Sequence, residues 1–445
     1  MSNTAHMVNG FDVSTVGALD PQLQEIVRRR GRLLGPAYKL FYANPVQFVR
    51  SEGVHLYDAQ GNAYLDAYNN VPSVGHAHPH VTAAITRQAR TLNTHTRYAA
   101  EPILDYAERL LATHAEGLGN VMFTCTGSEA VDLALRITRF QTGGTGIIVT
   151  SNAYHGLTST VAEISPTMGP DVPLGPYVRT VPAPDPYRTD GRDVGEAFAE
   201  GVAAAISDLE RHGIRFAGFI ADTLFSTDGI LPDPAGFLKP VVDVVHRAGG
   251  LYIADEVQPG FARTGDAMWG YQRHGILPDL VVMGKPMGNG MPIAGVVARP
   301  EILADFGTKI RYFNTFGGNS VSIAAAAAVL DVIEDEKLLD NSRTVGRYLR
   351  EGVADLAKDH PRIGAVRGAG LYVAADFLDP GTGAPDGELA LAVVNGLRER
   401  RVLISATGVH GSILKIRPPL PFTRAHVDTF IEALTDVLAS IEISQ

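Results

Sequence analysis

Short apolar runs at residues 121–123, 146–150, 216–221, 251–254 and 280–283 alternate with longer amphipathic stretches. A brief apolar run bounded by turn residues has the form of a buried strand, and apolar residues at helical spacing mark a helix packed on it. Residues 129–140 carry Val131, Leu133, Leu135 and Ile137, and residues 237–248 form a second helical stretch between strands. Strands alternating with helices predict a parallel, doubly wound sheet, with ligands held at the carboxyl ends of the strands.

Outside this region the pattern changes. Residues 48–53, 54–57 and 63–66 read as strands, with Asp58-Ala-Gln-Gly61 as a turn, and residues 81–92 read as a helix. An alanine-rich helix at 320–333 continues into 337–358 as one long helical connection. Beyond it lie short strands at 368–375 and 414–416, helices at 388–400 and 424–441, and a Pro/Gly-rich loop at 379–387. Residues 1–20 read as a loose arm. Residues 21–34 read as a helix whose Arg28, Arg29, Arg30 and Arg32 form a solvated basic face. The expected organisation is an N-terminal segment (1–72) contributing to a small domain, a large domain (73–325) and a C-terminal small domain (326–445).

Composition narrows this picture. A chain of 445 residues exceeds one compact core. The net charge of −10 disfavours nucleic-acid binding, and no apolar run reaches membrane-spanning length. Cys125 is the only cysteine, so no intramolecular disulfide forms, and the first 20 residues lack a signal-peptide core. A cytoplasmic protein is expected.

Three strand ends carry candidate chemistry. Thr126-Gly-Ser128 joins a strand to a helix N-terminus, where free N–H groups and the helix dipole suit a phosphate, although any strand-to-helix turn can contain Gly-Ser. Asp255-Glu256 follows the run at 251–254. A buried acid there needs a partner: a helix N-cap, a salt bridge, or a protonated pyridine nitrogen. Lys285 follows the run at 280–283 among Gly284, Gly288 and Gly290. Such a lysine either snorkels to solvent or, desolvated, becomes a nucleophilic amine able to form a Schiff base with a carbonyl or with pyridoxal phosphate. Together the three supply what a phosphate, a ring nitrogen and an aldehyde need. His76, His78 and His80, at spacing two around Pro79, suggest metal ligation, but with no nearby acid or cysteine they read as a structured turn, and no metal site is assigned.

With these features go Gly75-His-Ala-His-Pro79, Thr126-Gly-Ser-Glu-Ala130, Tyr154-His-Gly156, Ala254-Asp-Glu-Val-Gln258, Gly260-Phe-Ala-Arg-Thr-Gly265, Gly284-Lys285 and Thr315-Phe-Gly-Gly-Asn319. In these motifs the chain resembles the class III aminotransferases, pyridoxal 5′-phosphate enzymes of fold type I, from about residue 41 to about residue 430. The resemblance implies a large domain with a mostly parallel seven-stranded sheet and a smaller α+β domain. It also implies roles. Lys285 is the Schiff-base lysine and proton shuttle, and Asp255 the partner of the pyridine nitrogen. Gly127 and Ser128 form the phosphate turn, Tyr154 stacks on the ring, and Gln258 lies near the ring hydroxyl. Thr315 reaches the phosphate of a neighbouring subunit, so a homodimer with shared active sites is expected. His155 is expected to be structural.

The chain departs from the aminotransferase pattern at three places. Lys415 stands where amino-acid aminotransferases carry a carboxylate-binding arginine; a lysine lacks the bidentate fork and suits a phosphate. In the stretch 221–228, Asp222 replaces the first acid and Thr227 stands where a switching glutamate would be. Residues 68–71, 93–98, 312–315 and 414–419 are similar to the branch containing phospho-lyases of O-phosphoethanolamine and phosphohydroxylysine. The expected activity is therefore elimination of phosphate from a small phosphorylated amine, with Lys415, Arg417, Asn69 and Arg97 as substrate-binding candidates. Lys415 and Arg417 lie two apart on one strand and so face one side. The alternatives are amine transfer from an ω-amine or amino acid to a keto acid, and a non-catalytic cofactor- or metal-binding protein using the histidine cluster.

Overall fold

A computed structural model describes residues 7–186 and 191–443. Its strands are β1 (Phe48–Glu52), β2 (His55–Asp58) and β3 (Ala63–Asp66), then β4 (Asn120–Thr124), β5 (Gly146–Thr150), β6 (Val178–Val181), β7 (Phe216–Asp222), β8 (Leu251–Asp255), β9 (Leu280–Met283) and β10 (Ala294–Ala298). The last third adds β11 (Ile363–Ala369), β12 (Tyr372–Phe377), β13 (Val402–Leu403), β14 (Ser405–Thr407) and β15 (Ile413–Ile416).

The largest sheet has seven strands in the order β4-β10-β9-β8-β7-β5-β6. Only β10 runs antiparallel, pairing with both β4 and β9. Strands β5, β8 and β9 are buried almost throughout, because helices cover both faces of the sheet and leave no polar side to alternate with. The apolar runs thus mark real strands, but β6 and β10 are additions that no run announced. The pairing registers set Asp222 beside Asp255 and Asp255 beside Val282, so the acidic ends of β7 and β8 lie next to the exit of β9.

Two four-stranded sheets flank this layer. One is β1-β2-β3-β13, in which β13 pairs parallel to β3; the other is β11-β12-β15-β14. The stretch expected as a single strand at 368–375 is instead a hairpin. It turns at Gly370 (φ 52°), where a Cβ would come within 2.4 Å of the Thr264 carbonyl carbon, so only glycine fits. The expected long helical connection is two helices, Ser320–Asp335 and Leu338–Asp359, broken at Lys337, whose φ of 53° cannot continue a helix.

Residues 1–6 of the expected loose arm lie outside the described residues. From residue 7 the arm is docked. Phe11 packs with Leu23 and Val27, Gly10 bridges Phe41, and buried Asn9 accepts a 3.2 Å hydrogen bond from the Ser405 hydroxyl. Arg28, Arg29 and Arg32 are exposed and Arg30 is half-buried, while Leu23 and Val27 hold their helix in place. Among the described residues no helix is long and apolar enough to cross a membrane.

The histidine cluster is dispersed into separate hydrogen-bonded pairs. His76 meets Asp66 at 2.7 Å, His78 meets Glu336 at 3.0 Å, and His80 meets Asp331 at 2.7 Å. The acids absent from the local sequence come from other elements, one for each histidine.

Candidate active site

The site begins at the turn after β4. The Thr126 hydroxyl accepts from the Glu129 N–H at 3.2 Å, and the Glu129 carboxylate accepts from the Cys125 N–H at 2.7 Å, fixing the start of the helix Gly127–Thr142. The first-turn N–H groups of Gly127 and Ser128 have no acceptor within the helix and sit at its positive end. Gly156 presses against this turn. At φ 145° a Cβ there would lie 2.4 Å from the Ser128 hydroxyl oxygen, which instead accepts from the Leu157 N–H at 3.1 Å.

Opposite the turn lies the end of β8. Asp255 is buried; one carboxylate oxygen accepts from the Val257 N–H at 3.1 Å, and the other lies 2.7 Å from Nδ1 of His155. Glu256 points the other way. It accepts from the Thr223 hydroxyl (2.8 Å) and from the N–H groups of Gly270 and Tyr271 (2.7 Å each), and burial lifts its carboxyl to about 7. Two adjacent acids therefore do different work: Asp255 faces the site and Glu256 anchors the loop behind it. At the end of β7, Asp222 also faces the site, and burial and then the neighbouring Asp255 raise its carboxyl.

Lys285 follows β9. Part of its side chain is open to solvent, and it lines the small cavity beside Asp222 and Asp255. Burial, then Arg417, lower the amine to about 8, against the pull of Asp255 and Asp222. Gly127, Ser128, Tyr154, His155, Gly156, Asp222, Asp255, Val257, Gln258 and Lys285 line one cavity of about 110 Å³.

Lys415 and Arg417 reach this cavity through Gln258. Both are buried at the end of β15, and their shared donor target is the amide oxygen of Gln258. The Lys415 distance is 3.1 Å, and the Tyr372 hydroxyl donates to the same oxygen at 3.2 Å. The Arg417 guanidinium also lies over the rings of Tyr68 and Tyr372, and its Nε donates to the Tyr68 carbonyl at 3.2 Å. Burial, then the charges of Arg417 and Lys285, push the Lys415 amine well below the ordinary lysine value. Lys415 lines a second, larger cavity of about 910 Å³ together with Tyr68, Ser151, Asn152 and Thr227.

The remaining candidates are placed differently. Asn69 is half-buried in a turn: its N–H donates to Asp66 at 2.9 Å and its side-chain oxygen accepts from the Val71 N–H at 3.0 Å. Arg97 is exposed and stacks 3.6 Å over the Phe313 ring, and Thr315 is also exposed. None of the three lines either cavity. Sequence reasoning did not assign site positions to His155, Asp222 or Tyr372. Asp222 carried the same signal as Asp255, an acid ending an apolar strand. Tyr372 had none, because its approach to Gln258 depends on how two sheets pack.

The small cavity offers phosphate-seeking N–H groups at one side, a buried carboxylate at another, and an amine of lowered basicity at a third. These three ends fit the phosphate, the ring nitrogen and the aldehyde of pyridoxal phosphate, and Gly156 leaves the phosphate turn open.

The family model for class III aminotransferases matches residues 41–438. An ethanolamine-phosphate phospho-lyase homolog of Caenorhabditis elegans is 38% identical over 463 residues, covering 98% of this chain and 99% of that protein. An alanine–glyoxylate aminotransferase 2-like protein of Drosophila melanogaster is also 38% identical, covering 94% of this chain and 87% of the relative. Among solved structures, an Arthrobacter phospholyase in complex with phosphoethanolamine superposes with a TM-score of 0.90 at 44% identity, covering 93% of this chain and 99% of that one.

Proposed function

We propose that this chain, which belongs to the class III aminotransferase family and is a pyridoxal-phosphate enzyme, eliminates phosphate from a small phosphorylated amino alcohol such as O-phosphoethanolamine, the remaining enamine consuming one water to give aldehyde and ammonia. The observation that carries this reading is the pair Lys415 and Arg417. Both are buried, and among the described residues neither has a carboxylate in an ion pair; both donate to a neutral amide instead. A buried amine that lines the larger cavity and a buried guanidinium beside it, sharing one neutral acceptor, suit an anion that brings several acceptor oxygens. The similarity to the Arthrobacter phospholyase and the nematode phospho-lyase homolog supports the same reading.

In this reading Gly127 and Ser128 bind the cofactor phosphate, Tyr154 packs on its ring, Asp255 holds the proton on its ring nitrogen, and Lys285 takes its aldehyde. Bound there, pyridoxal phosphate supplies a carbonyl that condenses with amines and a ring that accepts the electron pair of a breaking C–H bond. The Lys285 amine, largely unprotonated above about pH 8, removes the proton from the substrate carbon next to nitrogen. Lys415 and Arg417 bind the substrate phosphate and neutralise its charge as the C–O bond breaks. Thr227, in place of a carboxylate switch, lines the larger cavity beside Lys415 as a neutral side chain.

The working unit in this reading is a homodimer. Exposed Tyr98, Phe313 and Phe316 surround Thr315 and Arg97, an apolar surface that a second copy would cover while presenting Thr315 to its neighbour's cofactor. A cytoplasmic location is part of the same reading.

The test is parallel measurement of phosphate and ammonia release from O-phosphoethanolamine, and of amine transfer to pyruvate. Release by the wild type, reduced about 100-fold or more in Lys415→Met, is expected. Brisk amine transfer without release would instead support the aminotransferase reading, which the similarity to the Drosophila protein favours.

A further inference from the structure

We propose that Gln258 is a specificity-determining residue whose side-chain oxygen occupies, at rest, the place of a substrate phosphate oxygen. This inference rests on the reading of Lys415 and Arg417 as a phosphate site and deepens it. Gln258 lies on the turn after β8, is 7% exposed, and lines the small cavity with Asp255 and Lys285. Its backbone is pinned, since its carbonyl accepts from Asn70 Nδ2 at 3.1 Å. Among the described residues its side chain is held by the donors that converge on it.

Three donors meet at that one oxygen: the Lys415 amine, the Arg417 guanidinium and the Tyr372 hydroxyl. All three are donors, so the oxygen of the amide, and not its NH₂, faces them. An amide oxygen has two lone pairs, so one of the three donors is always poorly served. It also carries no charge to match the Arg417 guanidinium. A phosphate brings several acceptor oxygens and up to two negative charges, and its charge-assisted bonds are about twice as strong as those to a neutral acceptor. An arriving phosphate therefore takes Lys415 and Arg417 from Gln258 and releases its side chain.

The identity of residue 258 follows from this arrangement. A glutamate would fit the same space but would cancel one of the two charges permanently and hold the cations against the incoming group. Glutamine keeps them ordered without neutralising them. Since the same side chain borders the cofactor cavity, its release also reports phosphate occupancy to the cofactor.

The experiment uses wild-type, Gln258→Glu, Gln258→Ala and Lys415→Met holoenzymes with inorganic phosphate as the probe. Affinity is read by calorimetry, and the cofactor environment by its visible absorption band. Wild type is expected to bind phosphate with a shift of the band. Gln258→Glu is expected to lose phosphate affinity by about tenfold or more, and Gln258→Ala to keep affinity but lose the shift. Gln258→Glu binding as tightly as wild type, or Gln258→Ala showing the full shift, overturns the role of Gln258 while the phosphate site stands. Should Gln258→Glu fail to fold, the Gln258→Ala band decides alone. Absence of phosphate binding by wild type, or unchanged binding in Lys415→Met, overturns the phosphate site and this inference with it.

Discussion

His155 Nδ1 lies 2.7 Å from a carboxylate oxygen of Asp255, and both side chains are buried. The residues sit at the ends of different segments, 100 positions apart, and the contact fixes which way the Asp255 carboxylate turns. On the proposed reading, replacing Asp255 by Asn removes the charge that would hold the ring-nitrogen proton, and a loss of turnover of about 100-fold or more is expected. His155→Phe keeps the charge but frees the carboxylate; outer partners of this kind cost about 10- to 100-fold elsewhere. Steady-state kinetics with the visible cofactor band checks both. Full activity in His155→Phe would mean the contact orients nothing.

The Lys285 amine, lowered to about 8, must be unprotonated to attack an aldehyde. A lower pH leaves more ammonium and less nucleophile. The rate at which apoenzyme takes up pyridoxal phosphate is therefore expected to rise with pH and to level off about one unit above 8. Stopped-flow absorbance across this range measures it, with Lys285→Ala forming no covalent linkage. A rate that is flat across the range contradicts the lowered basicity.

Gly156→Ala places a methyl 2.4 Å from the Ser128 hydroxyl oxygen and 2.9 Å from the Ser128 Cα, at a φ of 145°. Backbone strain and displacement of the turn are expected to cost about 1–3 kcal/mol of stability. Because the displaced turn carries the phosphate-seeking N–H groups, cofactor retention on dialysis should fall as well. Thermal melts of apo- and holoenzyme separate the two effects: the holoenzyme should lose more.

Glu256 accepts three hydrogen bonds while buried. Glu256→Gln replaces one acceptor atom by a donor facing other donors, at an expected cost of about 1–3 kcal/mol. The wild-type carboxyl is raised from 4.5 to about 7, so the folded chain binds its proton more tightly than the unfolded chain. Its contribution to stability is therefore full below about pH 4.5 and declines as pH rises to about 7. Urea unfolding of wild type and variant should show the wild-type advantage shrinking over that interval; an advantage that grows with pH would reverse the assignment.

Much of this was legible because it is local. The runs at 216–221, 251–254 and 280–283 are continuous apolar segments, and a parallel strand buried on both faces has to be one. Asp255 and Lys285 stood out because a charged residue ending such a run has to be accounted for. What could not be read was pairing at a distance. Nothing near His78 announces Glu336, which lies 258 positions away, and nothing near Gln258 announces Tyr372. The strand β10 was missed because Ala294–Ala298 is small and glycine-containing, and its burial comes from its place between β4 and β9. Thr315 and Arg97 stand on the surface of the single chain, where a sequence pattern cannot say what a second copy adds.

The Tyr42 hydroxyl both donates to the Ile404 carbonyl and accepts from the Ile404 N–H, 362 residues further on, and β3 finds its last neighbour in β13 just before it. A growing chain lengthens by about 5–20 residues per second, so the partner arrives roughly 20–70 seconds after Tyr42 has been made. For that interval the first strands leave the ribosome with an open edge, while the cofactor-binding sheet between them can already assemble. The order of manufacture thus puts the sheet that carries Asp255 and Lys285 ahead of Lys415 and Arg417, which join it last.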